Sequence, residues 1–113
     1  MSLTTWTFLT NHAHVAVCIA RDPAIRLRDL AAKVGITERA AQRIVTDLVR
    51  EGYLERTRVG RRNHYRVQAH LPLRHPLDHD LKLEALLRAL APQPAAGELD
   101  RGLAARARAQ RSA

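Results

Sequence analysis

The sequence predicts a mainly α fold carrying one small antiparallel β-sheet, and three observations lead there. The first is a pair of short helices, 28–34 and 38–51, that meet at Gly35. The second is a pair of strands, 53–59 and 64–67, folded about the turn Gly60, Arg61, Arg62 and Asn63. The third is their order, because the hairpin follows the second helix directly after Gly52. A hairpin in that place is the wing of a winged helix-turn-helix.

Taken in order, residues 3–9 carry Trp6 and Phe8, two of the chain's four aromatic side chains. Thr10 is an N-cap for a helix over 11–21, which Asp22 and Pro23 stop. That helix is apolar nearly all round, with Ala13, Val15, Ala16, Val17, Cys18, Ile19 and Ala20. Such a helix is buried on several sides, and one side is expected to meet another subunit. Residues 25–27 are expected to form a short strand that pairs with the wing, giving three strands.

The helix pair has a steric reason at each position. Leu30, Ala31 and Val34 turn inward, and Ile36, Ala41, Ile44 and Leu48 close the core from the other side. Helices crossing at about 90–120° need a small residue at the crossing, here Ala31. Gly35 supplies a positive φ without a Cβ penalty. Thr37 can cap the second helix through its hydroxyl, and Gly52 ends it. Thr37, Glu38, Arg39, Gln42, Arg43 and Thr46 remain outside. That face is polar, long-armed and suited to base edges.

In the wing, Tyr53 or Leu54, Thr57 and Val59 favour extended backbone. From Arg56 to Arg66 there are five arginines and no acid. A purely structural hairpin would mix charge signs across its pairs, since like charges opposite one another destabilise it. A wing pressed on phosphates has a reason to keep them positive. After it, residues 71–77 contain two prolines and are expected to be extended.

A last helix is expected over 80–91, with Leu83, Leu86, Leu87 and Leu90 on one stripe. The stripe either folds back on its own domain or pairs with a symmetry mate. The expected organisation is a domain over 1–76, a dimerising helix over 77–91 and a tail over 92–113. The tail is rich in Ala, Arg and Pro with one leucine pair, Leu99 and Leu103, and is expected to be mostly disordered.

Charge narrows the partner. The net charge is +8 at pH 7. Residues 1–91 hold 15 Lys or Arg against 9 acids, so most of the excess lies ahead of the tail. Basicity alone also suits RNA or a membrane surface. A single cysteine, Cys18, excludes an intramolecular disulfide framework and suits a reducing cytosol. No apolar run of about 18 residues is present to span a bilayer, and the first residues lack a signal-peptide pattern. A cytoplasmic location without membrane attachment is therefore expected.

The motifs Gly-Ile-Thr-Glu-Arg-Ala at 35–40 and Gly-Arg-Arg-Asn-His-Tyr at 60–65 carry a resemblance. The chain resembles winged helix-turn-helix transcriptional regulators of the MarR and ArsR broad type, short actinobacterial members above all. The resemblance spans residues 10–76. It implies contacts to duplex DNA by Gln42, Arg43 and their neighbours in the major groove, with Arg61 and Arg62 at the wing tip.

ArsR-type sensors bind metals, and the chain has six histidines. His12 and His14, two apart on a helix, face away from each other. His75 stands before Pro76, off-helix, with His79 beyond it, and there is no second cysteine for a thiolate site. Solvated surface histidines are the expectation, with no metal and no other cofactor. Cys18 has His14 one turn back, but a buried free cysteine is usually inert. Glu38 is better explained by the helix dipole than by a cytosine amino group. No phosphate loop, nucleophile motif or carboxylate pair supports an enzyme.

The reading is a dimeric transcription regulator that binds double-stranded DNA. Its expected DNA contacts are Thr37, Glu38, Arg39, Gln42, Arg43 and Thr46 from the helix, and Arg56, Arg58, Arg61, Arg62, Asn63 and His64 from the wing. The expected homodimer seam is Trp6, Phe8, Leu83, Leu86, Leu87 and Leu90. Two rivals are a winged-helix protein-interaction module, which the basic, aromatic-poor surface disfavours, and an RNA-binding regulator, which lacks a stacking platform. No effector is assigned.

Overall fold

A computed structural model describes residues 6–90. Its elements run α1 (Asn11–Arg21), α2 (Leu27–Val34), α3 (Glu38–Arg50), β1 (Leu54–Val59), β2 (Arg62–Val67) and α4 (Leu83–Leu90). Thr10 caps α1 as its hydroxyl accepts from the Ala13 amide at 3.2 Å. Gly35 closes α2 at φ 85°, and its amide reaches the Ala31 carbonyl at 2.8 Å. After α3 the Gly52 amide bonds the Val49 carbonyl and the Tyr53 amide bonds that of Leu48. This paired pattern is a Schellman closure.

The core lies where α1, α2 and α3 meet. Val15, Ala16, Ile19, Ile25, Leu30, Ala31, Ala41, Ile44, Val45, Leu48 and Leu54 form it. Ala31 on α2 and Ala41 on α3 are both buried in this core. Val34 and Ile36 are only partly buried against this cluster. Val45, fully enclosed, escaped the sequence reading because it flanks the expected stripe. Burying a side chain such as Leu30 or Ile19 stabilises the fold by about 1.5–3 kcal/mol.

Three expectations are corrected. Residues 25–27 do not form a strand, and the sheet has two strands, not three. The Ile25 amide is spent on the Asp22 carbonyl in a turn, its side chain enters the core, and α2 already starts at Leu27. A single backbone bond, Tyr65 amide to Pro23 carbonyl at 2.9 Å, joins the wing to this segment. The wing turn is also shorter. Val59 pairs with Arg62, which leaves only Gly60 and Arg61 between the strands. Gly60, at φ 66°, permits so tight a reversal because glycine tolerates that position.

The third correction concerns residues 71–82. The connector is extended only at its start, where the Leu73 amide bonds the Leu81 carbonyl and the Leu83 amide bonds that of Leu71. Between them the chain turns at His75 and Asp78. Residues 81–82 are therefore held against the connector and α4 begins at Leu83, not near 80. Leu83 is 5% exposed and so is buried within its own chain, while Leu86, Leu87 and Leu90 are half-buried. The Arg21 guanidinium donates to the Leu90 carbonyl at 3.0 Å and fastens the far end of α4 to α1. The expected tail, 92–113, lies outside the described residues.

Candidate nucleic-acid interface

The outer face of α3 is built by helical spacing and fixed by its cap. The Thr37 hydroxyl accepts from the Ala40 amide at 3.0 Å, so this expected contact residue is occupied as the N-cap. Glu38 stands in the first turn, where a negative charge complements the helix dipole. Arg39, Gln42 and Arg43 are exposed, whereas Thr46 is half-buried. The Gln42 amide nitrogen lies 3.3 Å from the Thr46 hydroxyl, which steadies an otherwise free side chain.

The hairpin distributes its arginines over both faces. Residues opposite one another share a face. Arg56 pairs with Tyr65 and Arg58 with Asn63, on the face that includes buried Leu54. Thr57 pairs with His64 and Val59 with Arg62, on the other face. No arginine stands directly opposite another. Like-charge repulsion is thus avoided by register, and Glu55, opposite Arg66, adds an ion pair at 3.7 Å. Neither device is visible in the run of charge signs along the sequence, because both depend on the strand register.

At the tip the guanidiniums have different tasks. Arg58 donates from Nε to the Gly60 carbonyl at 3.3 Å within the turn. Arg62 donates from Nε to the Ala24 carbonyl at 3.1 Å and so holds the segment before α2. A cleft of about 540 Å³ opens between wing and helices, lined by Ile25, Arg26, Leu27, Gln42, Arg61, Arg62, Asn63 and Tyr65. The structure brings Gln42, Arg61, Arg62 and Asn63 together there. Arg39, Arg43, Arg56, Arg58 and His64 stand outside its lining. Among the described residues, neither Arg26 nor Arg39, Arg43, Arg56, Arg58, Arg61 or Arg62 has a carboxylate within 4.0 Å.

Two features had no local signal in the sequence. Arg26 joins the cleft only because the turn at Pro23 and Ala24 folds it beside the wing. His12 Nε2 meets Asp47 Oδ2 at 2.9 Å across 35 positions of sequence. The hydrogen bond from His12 holds the Asp47 carboxyl below its usual value, helped by the charges of His12, Arg50 and Arg43. His75 Nδ1 accepts from the Leu77 amide at 3.0 Å and His79 lies 3.4 Å from Asp80. Cys18 is half-buried in a small cavity with His14, Arg21, Lys33 and Leu90. Among the described residues no group of three or more His, Cys, Asp or Glu could hold a metal ion. No described helix is long and apolar enough to cross a membrane.

A family model described as winged helix-turn-helix DNA-binding matches residues 18–55, from the second half of α1 into β1. The hairpin completes that pattern. The fold is a winged helix-turn-helix. No curated protein matches the chain. Solved structures similar to it at low identity include two transcriptional regulators. One is the zinc-dependent MarR family transcriptional regulator AdcR in its Zn(II)-bound state, at 20% identity and TM-score 0.42, over 60% of this chain and 49% of that one. This chain therefore spans about half the length of AdcR. The other is the PcaV transcriptional regulator of Streptomyces coelicolor with its natural ligand, at 19% identity and TM-score 0.47. That similarity covers 93% of this chain and 77% of PcaV.

Proposed function

We propose that this winged helix-turn-helix is a transcription regulator that binds double-stranded DNA in a sequence-dependent way. One observation carries the reading. The exposed face of α3 and the wing tip adjoin across a single cleft, and the arginines around them lack carboxylate partners among the described residues. Unpaired guanidiniums release counterions from a duplex. Gln42 and Arg43 read base edges, where Gln suits adenine and Arg suits guanine. Wing residues position the protein on the backbone and carry no sequence information. The finer assignment to the MarR and ArsR broad type rests on the motifs at 35–40 and 60–65.

Two-fold association belongs to the same reading. Phe8 is 92% exposed, with Leu77 and Leu81 also open to solvent. Trp6 meets Phe8 edge to face at 5.1 Å, so the two rings form one apolar projection. Leu86, Leu87 and Leu90 contribute their half-exposed sides. A dimer presents two α3 helices about 34 Å apart and demands a near-palindromic site.

Binding measured over a salt series on duplex DNA, single strands and structured RNA tests the proposal. Tightest binding to duplex, with a site recovered by selection from random duplexes, is the expected outcome. Preference for structured RNA, or no salt-dependent binding to any nucleic acid, would overturn it.

A further inference from the structure

Arg26 has no part in the core and no ion pair among the described residues, yet it lines the cleft between α2 and the wing with Arg61 and Arg62. Three arginines thus line one concave surface whose lining contains no Asp or Glu. Asn63 and Gln42 add neutral hydrogen-bonding groups on the same lining. The bond to the Ala24 carbonyl accounts for Arg62 alone; among the described residues the side chains of Arg26 and Arg61 make no hydrogen bond or ion pair, and like charges held together repel. An anion placed between them removes that repulsion, and planar guanidiniums match a phosphodiester's paired oxygens.

We propose that this cleft seats one backbone phosphate of the bound duplex, with Arg26 as a phosphate-binding residue opposite the wing. The inference rests on the DNA-binding reading and adds a third contact region to the α3 face and the wing. Arg62 acts there in two capacities. Its Nε holds the Ala24 carbonyl, which orders the backbone two residues before Arg26, and its two Nη nitrogens remain for the phosphate. Arg61, at the turn, closes the seat from the wing side. The phosphate lies between the reading helix and the wing and fixes the register of both on the duplex.

The test is titration of a short fluorescent duplex between about 50 and 200 mM salt with wild type, Arg26→Ala, Arg26→Gln and Arg26→Lys. Both neutral variants should flatten the slope of log affinity on log salt by about 0.9 and weaken binding roughly eightfold at about 0.1 M salt. The losses should be equal on selected and random duplexes, and Arg26→Lys should restore the slope. Neutral variants with the wild-type slope and affinity would overturn the phosphate seat. In that case salt-dependent binding by wild type would leave the DNA-binding reading intact. Wild type that binds no duplex would overturn both. A slope that stays flat in Arg26→Lys would also count against the proposal, because a charge contact is recovered by any cation of similar reach.

Discussion

His12 on α1 and Asp47 on α3 are hydrogen-bonded at 2.9 Å, so the first helix braces the helix that carries the proposed reading face. Asp47 also lies 3.6 Å from Arg50 on its own helix. One carboxylate therefore joins two elements and moderates the charge at the end of α3.

This pair predicts an acid limb in stability. Asp47 is held below its usual value of 3.8, so its contribution is present above pH 3.8 and is lost as pH falls through the lower folded value. Asp47→Ala should lower Tm at neutral pH, and its difference from wild type should vanish on acidification through that window. Thermal unfolding followed by circular dichroism across pH provides the check. A gap between the two proteins that is independent of pH would show that the carboxyl charge contributes nothing.

Tyr53 predicts an alkaline limb of the opposite sense. Burial raises its phenol above 10.0, with Arg74 pulling down and Glu51 pushing up. Stability is fully present below pH 10.0 and declines as pH rises through the raised folded value. The hydroxyl also donates to the Pro72 carbonyl and links the start of the wing to the connector. Tyr53→Phe should cost about 0.5–1.5 kcal/mol near neutrality and remove the alkaline decline. Urea unfolding at neutral and alkaline pH separates the two effects.

The wing tip should divide into unequal halves. Among the described residues the Arg61 side chain makes no hydrogen bond or ion pair, whereas Arg62 holds the Ala24 carbonyl. Arg61→Ala should flatten the salt slope by about one contact with an unchanged Tm. Arg62→Ala should do the same and also lower Tm. Arg62→Lys should keep the slope or the Tm but not both, since a single ammonium replaces a fork of three nitrogens. Equal behaviour of Arg61→Ala and Arg62→Ala in both measurements would contradict this division.

Reading should be separable from gripping. Gln42→Ala and Arg43→Ala should each cost about 1–3 kcal/mol on a selected site and much less on random duplex. Equal losses on the two duplexes would make these residues phosphate anchors.

Association should depend on the exposed apolar projection. Phe8→Glu combined with Leu77→Glu leaves the core untouched, because both side chains stand in solvent. The variant should sediment as a folded monomer at micromolar concentration while wild type sediments as a dimer. A monomeric wild type, or a dimeric variant, would remove the homodimer from the proposed function. Leu83 is unsuited to this test, since its burial within the chain would confound association with folding.

Much of the fold was legible because its signals are local. Thr10 and Thr37 cap the helices expected of them, and Gly35 takes the positive φ that the helix-turn-helix needed. The amphipathic spacing of Leu30, Ala41, Ile44 and Leu48 gave the core directly. Failures came where hydrogen bonds join distant segments. Leu71 and Leu83 pair backbones across a loop that no periodicity reveals, and Tyr65 takes the Pro23 carbonyl without completing a third strand. In the site, residue types predicted which side chains stand outside, but not their partners. Thr37 as a cap and Arg62 as a tie were visible only once Ala40 and Ala24 were in place.

The two bonds from the wing to Pro23 and Ala24 make the domain a caliper. Swinging the hairpin away from the helices means breaking the Tyr65–Pro23 and Arg62–Ala24 bonds, at a net cost of about 0.5–1.5 kcal/mol each. One jaw is the exposed face of α3 and the other is the turn at Gly60 and Arg61. Their gap is set before any duplex arrives, so little ordering entropy is lost on contact. A duplex whose groove width departs from that gap must itself deform to be gripped, and the energy of deformation depends on base sequence even at positions no side chain touches.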